Sequence, residues 1–360
     1  MRVKTMTDLK VTLAKELKVR PKDDELKFGA VFTDHMFVMD YKKGEGWYDA
    51  RITPYSEISV APSMMVFHYG QAIFEGLKAY KTEDGKVLTF RAGDNFKRLN
   101  ISAERMCIPT FDEQAAKDAL YKLLRIEKCW VPSQKDTSLY IRPFIIATDP
   151  YIGVRPSDTY KFFIILSPVG AYYPEGFKPV KIYVTDKYVR AAKGGVGFAK
   201  TAGNYAASLY AAEEAKKLGY TQVMWLDCAQ HKYVEEVGTM NIFFVIGDVL
   251  VTPDLEGGSV LSGITRDSVI KLAKHLNMPV EERKISIDEV FDAHEKGKLK
   301  EVFGTGTAAV ISPVSELNLN DKKIIINEGK TGRISQLLYD RLTDIQYGRE
   351  QDPFNWVETI

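Results

Sequence analysis

Two runs constrain this chain most: Ser138–Ala147 (SLYIRPFIIA) and Lys161–Val169 (KFFIILSPV). Both are rich in β-branched and aromatic residues, the signature of long strands. Around them, Phe32–Met39 and Val87–Phe90 are strand-like, Asn95–Arg105 is expected as a helix behind Asp94 as N-cap, and Ala115–Ile126 has helical apolar spacing. Gly170–Lys178 (GAYYPEGFK) is punctuated by Gly and Pro and marks a boundary. The expected organisation is a small N-terminal α/β domain over residues 1–170, an interdomain loop at 171–178, and a large cofactor-binding domain over 179–360. In the second part Lys181–Thr185, Gln222–Leu226 and Met240–Ile246 read as strands. Tyr205–Leu218 is an Ala-rich helix closed by Gly219. Thr265–Leu276 is a helix opened by Ser262 and Gly263; Asp288–His294 and Ser335–Ile345 are helices, and Glu301–Phe303 leads into a loop Gly304–Thr307. Strands and helices mix in both halves, so the fold class is a two-domain α/β (α+β) protein.

The densest chemistry lies in Gly194–Tyr205 (GGVGFAKTAGNY). It sets Lys200 among small residues, which let another molecule approach the backbone closely. An amine in such a slot can attack a carbonyl. Three further segments join it. Glu235-Glu236-Val237-Gly238-Thr239 precedes an apolar strand, where an inward acid needs a partner. Leu261–Arg266 opens a helix whose first N–H groups suit a phosphate. Phe303–Ala309 alternates Gly and Thr, again a set of anion donors. A nucleophilic amine, an acid and two anion-binding turns are the parts that hold pyridoxal phosphate: an imine to its aldehyde, a partner for its ring nitrogen and donors for its phosphate. GGVGFAKT is one residue from a phosphate-binding GxxxxGK[ST] loop, but Ala199 stands where Gly is required and the charged stretch Asp186–Lys193 replaces the strand that should lead into it.

Composition narrows the partners. The chain of 360 residues is 45% hydrophobic and 27% charged, with a formal net charge of +1. A near-neutral balance argues against a nucleic-acid partner, and no apolar run has the length of a membrane span. Residues 1–27 carry Asp8, Glu16, Asp23, Asp24 and Glu25 and no apolar core of a signal peptide, so a cytoplasmic location is expected. Cys107, Cys129 and Cys228 are too few and too scattered for a disulfide framework or a zinc site, and no metal is expected.

The motifs Phe67-His68-Tyr69-Gly70-Gln71, Phe74-Glu75-Gly76-Leu77-Lys78-Ala79, Leu139-Tyr140-Ile141-Arg142-Pro143, the lysine segment, Glu236–Asn241 and Gly304–Ala308 occur here in one order. In this the chain resembles the branched-chain amino acid aminotransferases, pyridoxal-phosphate enzymes of the D-amino-acid-transaminase-like fold (fold type IV). The resemblance implies transfer of the amino group between leucine, isoleucine or valine and 2-oxoglutarate by a ping-pong mechanism. It implies that Lys200 carries pyridoxal 5′-phosphate and moves the proton between Cα and C4′. Glu236 then faces the ring nitrogen, Tyr205 the ring hydroxyl, and Arg98, Ile264, Thr265 and Thr307 the phosphate, with Arg190 on the same wall. Phe28, Tyr69, Phe74, Tyr140, Tyr172, Thr239 and Ala308 line the substrate pocket, and Arg142 takes the second carboxylate of glutamate. A homodimer is implied, because in that family a loop of the other subunit completes the pocket. D-amino acid aminotransferases and aminodeoxychorismate lyases are the alternative within the fold. Ala309 and Ser312 stand where mammalian members carry a Cys-x-x-Cys pair, so redox control through that pair is not expected.

Overall fold

The computed structural model describes residues 9–170 and 177–360; of the loop expected at 171–178, residues 171–176, including Tyr172, lie outside the described residues. The chain divides into two compact units. Among the described residues the first comprises 9–170, 199–202 and 345–360, the second 177–198 and 203–344.

The first unit contains β1 (Lys10–Val11), β2 (His35–Lys42), β3 (Gly46–Pro54), the short helix α1 (Met65–Tyr69), β4 (Ala72–Phe74), β5 (Leu77–Lys81), β6 (Val87–Phe90), α2 (Ala92–Arg105), α3 (Glu113–Ile126), β7 (Ser138–Ala147) and β8 (Thr159–Val169). Its sheet runs β1-β3-β2-β8-β7-β5-β6 and ends on the C-terminal strand Val357–Thr359, with β4 also paired to β7. That last strand lies antiparallel on β6, which is why residues 345–360 group with the first unit and not with the 179–360 span expected from sequence. Apolar residues at helical spacing on α2 (Phe96, Leu99, Ala103) and α3 (Ala116, Leu120, Leu123, Leu124) are buried with Phe37, Ile52, Leu139, Ile141 and Phe162 of the sheet. Burying a large apolar side chain of this kind contributes roughly 1.5–3 kcal/mol. Side chains alternate along a strand, so burying Leu139 and Ile141 in this core turns Tyr140 and Arg142 to the other face. Asp94 is not the cap of α2. The helix starts behind Arg91, held at φ 54, and Asp94 sits in the first turn as an ion pair with Arg91 Nε at 2.7 Å.

The second unit contains β9 (Val180–Val184), α4 (Ala202–Lys217), β10 (Gln222–Leu226), β11 (Val234–Val237), β12 (Asn241–Ile246), β13 (Val249–Thr252), α5 (Ile264–His275), β14 (Val280–Glu282), α6 (Ile287–Glu295), β15 (Leu299–Gly306), β16 (Val310–Leu319), β17 (Lys322–Ile325) and α7 (Arg333–Gln346). Its sheet order is β11-β10-β9-β16-β15-β12-β13-β14, with β17 added to β16. The expected loop Gly304–Thr307 is largely strand: Gly304, Thr305 and Gly306 belong to β15, paired with both β12 and β16. The glycines serve close packing there. A Cβ on Gly304 would lie 2.9 Å from Met240 Cε, and one on Gly306 3.1 Å from Met240 Cγ. The turn itself is Thr307–Ala309.

Candidate active site

In the first unit the lysine segment is held from two sides. The Phe74 N–H donates to the Lys200 carbonyl at 3.0 Å, Thr201 Oγ1 donates to the Ala72 carbonyl at 2.7 Å, and Ile73 bridges Thr201. From α2, Ser102 Oγ accepts the Lys200 N–H at 2.9 Å. The segment is therefore docked on the edge of β4, which fixes where its side chain emerges. Lys200 Nζ lies 4.9 Å from the centre of the Phe74 ring. Arg142 shares that ring: its Cζ is 4.7 Å from Phe74 and 5.3 Å from Tyr140. Arg142 Nη2 donates to Tyr140 Oη at 3.1 Å, and Phe28 meets Tyr140 edge-on at 4.9 Å. Five predicted residues, Phe28, Phe74, Tyr140, Arg142 and Lys200, thus form one aromatic and cationic cluster. A Cβ on Gly76 would come within 2.1 Å of Tyr140 Oη, so glycine is required for the tyrosine to lie there.

Tyr69 is not part of that cluster among the described contacts. It lies exposed at the end of α1, its ring 6.1 Å from that of His68. Arg98 is buried and engaged by an acid that sequence reasoning did not single out: Nε reaches Glu75 Oε1 at 2.7 Å and Nη2 reaches Oε2 at 2.9 Å. Lys78 was also missed. It pairs across from Tyr140 in the β5–β7 ladder, and burial pulls its amine down to about 8, with Asp136 acting in the opposite sense. The available signal was a cation and an acid in an otherwise apolar stretch, since buried charges need partners.

In the second unit, Glu236 and Arg190 are 2% and 8% exposed, and Arg190 Nε contacts Glu236 Oε2 at 2.7 Å. Arg190 Nη1 donates to the Ser259 carbonyl at 3.1 Å. Glu236 Oε1 accepts the Leu261 N–H at 2.8 Å and Asn241 Nδ2 at 3.3 Å. Arg190 therefore holds the acid. The neighbouring Glu235 faces elsewhere, onto Ser259 Oγ. Burial raises its carboxyl, opposed by the Ser259 hydrogen bond and reinforced by the charge of Glu236. Asn241 Nδ2 also donates to the Leu261 carbonyl at 2.9 Å, tying the acid to the segment that opens α5. That helix starts behind Gly263 without a side-chain cap. The Thr265 N–H is among the first-turn donors that no intrahelical carbonyl reaches; Ile264 precedes it. A Cβ on Gly263 would be 1.9 Å from Asn241 Oδ1. Thr239 lies in the turn between β11 and β12, and Thr307 and Ala308 in the turn after β15; Met240, beside Thr239, packs against Gly304 and Gly306. Tyr205 is half-buried on the first turns of α4.

Each unit by itself carries groups that suit part of pyridoxal phosphate. The Gly263 cradle and the uncapped start of α5 suit a phosphate. Glu236 is a buried carboxylate fixed by Arg190, Asn241 and the Leu261 N–H, and a protonated ring nitrogen needs an acid held in this way. Lys200, in the first unit, is the candidate amine.

The model of the class IV aminotransferases matches residues 72–317, more than half of the chain. Branched-chain-amino-acid transaminase 1 of Bacillus subtilis is 58% identical over 344 residues, covering 95% of this chain and 96% of the relative. The crystal structure of the Escherichia coli branched-chain amino acid aminotransferase superposes with a TM-score of 0.73 at 28% identity, covering 89% of this chain and 98% of that one. The branched-chain amino acid aminotransferase of T.th., solved with N-(5′-phosphopyridoxyl)-L-glutamate, gives 0.73 at 28% identity, covering 89% and 97%. With a family model over its centre and near full-length relatives of one kind, the chain belongs to the branched-chain-amino-acid aminotransferases of the class IV aminotransferase family.

Proposed function

We infer that this protein is a branched-chain-amino-acid transaminase, exchanging the amino group of leucine, isoleucine or valine with 2-oxoglutarate. The observation that carries the reading is the cluster in which Lys200 Nζ and Arg142 share the Phe74 ring, and Arg142 and Phe28 meet Tyr140. Aromatic walls suit an aliphatic side chain, whose burial is worth about 1.5–3 kcal/mol. A guanidinium stacked at the edge of those rings can meet a second carboxylate by a charge-assisted pair. One pocket then serves both half-reactions.

Pyridoxal phosphate, when bound, supplies the electron sink that makes the Cα–H bond of an amino acid acidic. The residues of the chain supply the rest. Lys200 Nζ would take the proton from Cα and pass it on to the cofactor, and would carry it in the opposite sense in the other half-reaction. Glu236 holds the ring-nitrogen proton, with Arg190 and Asn241 fixing the carboxylate. Tyr205 binds the ring hydroxyl, and Arg98, Ile264, Thr265 and Thr307 bind the phosphate. Thr239, Ala308 and Tyr69 are the further substrate-contacting residues of the proposal, and Tyr172, assigned with them, lies outside the described residues.

A homodimer is part of the proposal. Phe67 and Tyr69 of α1 are exposed, as are Tyr151, Ile152 and Val154. The two segments are joined by the Met64–Pro150 bridge and the hydrogen bond from the Met65 N–H to the Asp149 carbonyl. An apolar patch of this kind marks an interface, and it includes a predicted pocket residue, Tyr69. A cytoplasmic location is also proposed, supported by scattered cysteines that suit a reducing compartment.

The test is a panel of half-reactions. Each amino acid is added without a 2-oxo acid, and the loss of cofactor absorbance is followed. Leucine, isoleucine, valine and L-glutamate react under this reading. Faster reaction with D-alanine, or with none of the branched-chain amino acids, rejects it.

A further inference from the structure

We propose that Glu75 is a positioning residue: it fixes the guanidinium of Arg98 and so sets the affinity of the site for the phosphate of its cofactor. This rests on the proposed role of Arg98 as a phosphate ligand.

Glu75 is fully buried and Arg98 is 8% exposed. The carboxylate is held by its own backbone: the Glu75 N–H donates to the Pro143 carbonyl at 2.8 Å, and the Gly76 N–H donates to Oε2 at 3.1 Å. On that fixed carboxylate Arg98 docks edge-on, Nε at 2.7 Å and Nη2 at 2.9 Å. Two parallel bonds define the plane of a guanidinium as well as its place. Arg carries five N–H donors, and those on Nη1 lie on the side away from the clamp.

The clamp shares its supports with the reactive lysine. Phe74, next to Glu75, donates its N–H to the Lys200 carbonyl. Ser102, one helical turn after Arg98 on α2, accepts the Lys200 N–H. One strand end and one helix face therefore hold both the amine and the cation. Glu75 also compensates a buried charge before any anion arrives; an unpaired one would be costly and would reorganise. The site is thus preorganised for a phosphate at a set distance along the same elements that carry Lys200.

Apoprotein is titrated with pyridoxal phosphate and, separately, with pyridoxal, following cofactor fluorescence. The dissociation constant of pyridoxal divided by that of pyridoxal phosphate isolates the phosphate. Glu75→Gln keeps the shape but one acceptor oxygen, and the ratio is expected to fall on the order of 10-fold, the worth of one charge-assisted bond. Pyridoxal binding itself stays within about 2-fold, because the amine and its supports are untouched. Equal weakening of both compounds means that Glu75 is merely structural and overturns the proposal. Arg98→Lys is the second variant: it retains the charge and cannot make the two-bond clamp. It should lower the ratio to the same degree and carries the test if Glu75→Gln does not fold; an unchanged ratio in Arg98→Lys overturns the proposal. Arg98→Met separates the two levels. A lowered ratio in Arg98→Met with an unchanged one in Glu75→Gln rejects only the role of Glu75. An unchanged ratio in Arg98→Met rejects Arg98 as a phosphate ligand.

Discussion

Replacing Arg142 with Ala should change which substrate the enzyme prefers more than how fast it works. The guanidinium stacks 4.7 Å from Phe74 and 5.3 Å from Tyr140 and donates to Tyr140 Oη at 3.1 Å. Removing it has two effects. Loss of the stacking loosens the aromatic wall for every substrate, at about 1 kcal/mol for a cation on a partly exposed ring, or roughly 5-fold in kcat/KM. Loss of the cation also removes the partner for a distal carboxylate, which leucine lacks and glutamate has. A charge-assisted hydrogen bond contributes about 1.5–3 kcal/mol, a further factor of roughly 10–150. The leucine half-reaction of Arg142→Ala should therefore fall about 5-fold or less, and the glutamate half-reaction by that factor and a further factor of roughly 10 to 150. Single-turnover rates measured over a range of each amino acid resolve the two. Equal losses would refute the reasoning: Arg142 would then support the pocket alone, and the second carboxylate would be bound elsewhere.

Glu236→Gln should retain bound cofactor yet lose on the order of 10²–10⁴-fold in turnover; a steady-state rate near wild type removes Glu236 from the chemistry. Lys78 gives a pH dependence. Its amine is lowered from 10.5 to about 8 by burial, so between those values the unfolded chain binds more protons and folding stability rises with pH. Lys78→Met should be more stable than the parent by roughly 3 kcal/mol below pH 8, and the gain should vanish above pH 10.5. Denaturant midpoints across that window check the sign, and a gain that grows with pH contradicts it. Cys107 and Cys129 are exposed and Cys228 is partly so, and positions 309 and 312 are Ala and Ser. Mild peroxide and thiol reagents should label the protein with activity retained, whereas an inactivation reversed by dithiothreitol points to one of the three.

Much of the fold was legible where local pattern and tertiary structure agree. Ser138–Ala147 and Gln222–Leu226 end where their apolar runs end, because both strands are buried by their sheets. Gly263 opens α5 as its position before an amphipathic helix suggests. Failures share a cause: partners distant in sequence. Asp94 reads as a cap by local rule, yet Arg91 takes the left-handed position with its N–H on the Trp356 carbonyl. Gly304-Thr305-Gly306 reads as a turn, yet β12 and β16 flank it and Met240 needs the space the missing Cβ leaves. His35–Lys42 starts later than the apolar pattern, because the Asp34 carboxylate is taken up by the Lys18 N–H and Trp130 Nε1. In the site, motif singles out the residues proposed to carry chemistry, such as Lys200 and Glu236, but not the side chains that hold them. Glu75, Ser102 and Asn241 are ordinary residues until the fold sets them against Arg98, Lys200 and Glu236.

The central claim is that Lys200 is the amine that carries the cofactor. Reduction of the holoenzyme with borohydride fixes the cofactor to its lysine, and peptide mass mapping locates it. The account predicts a single pyridoxyl-modified peptide containing Lys200, lost when leucine is added first. A label on Lys193, on Lys78 or on any other lysine, with Lys200 unmodified, would contradict it.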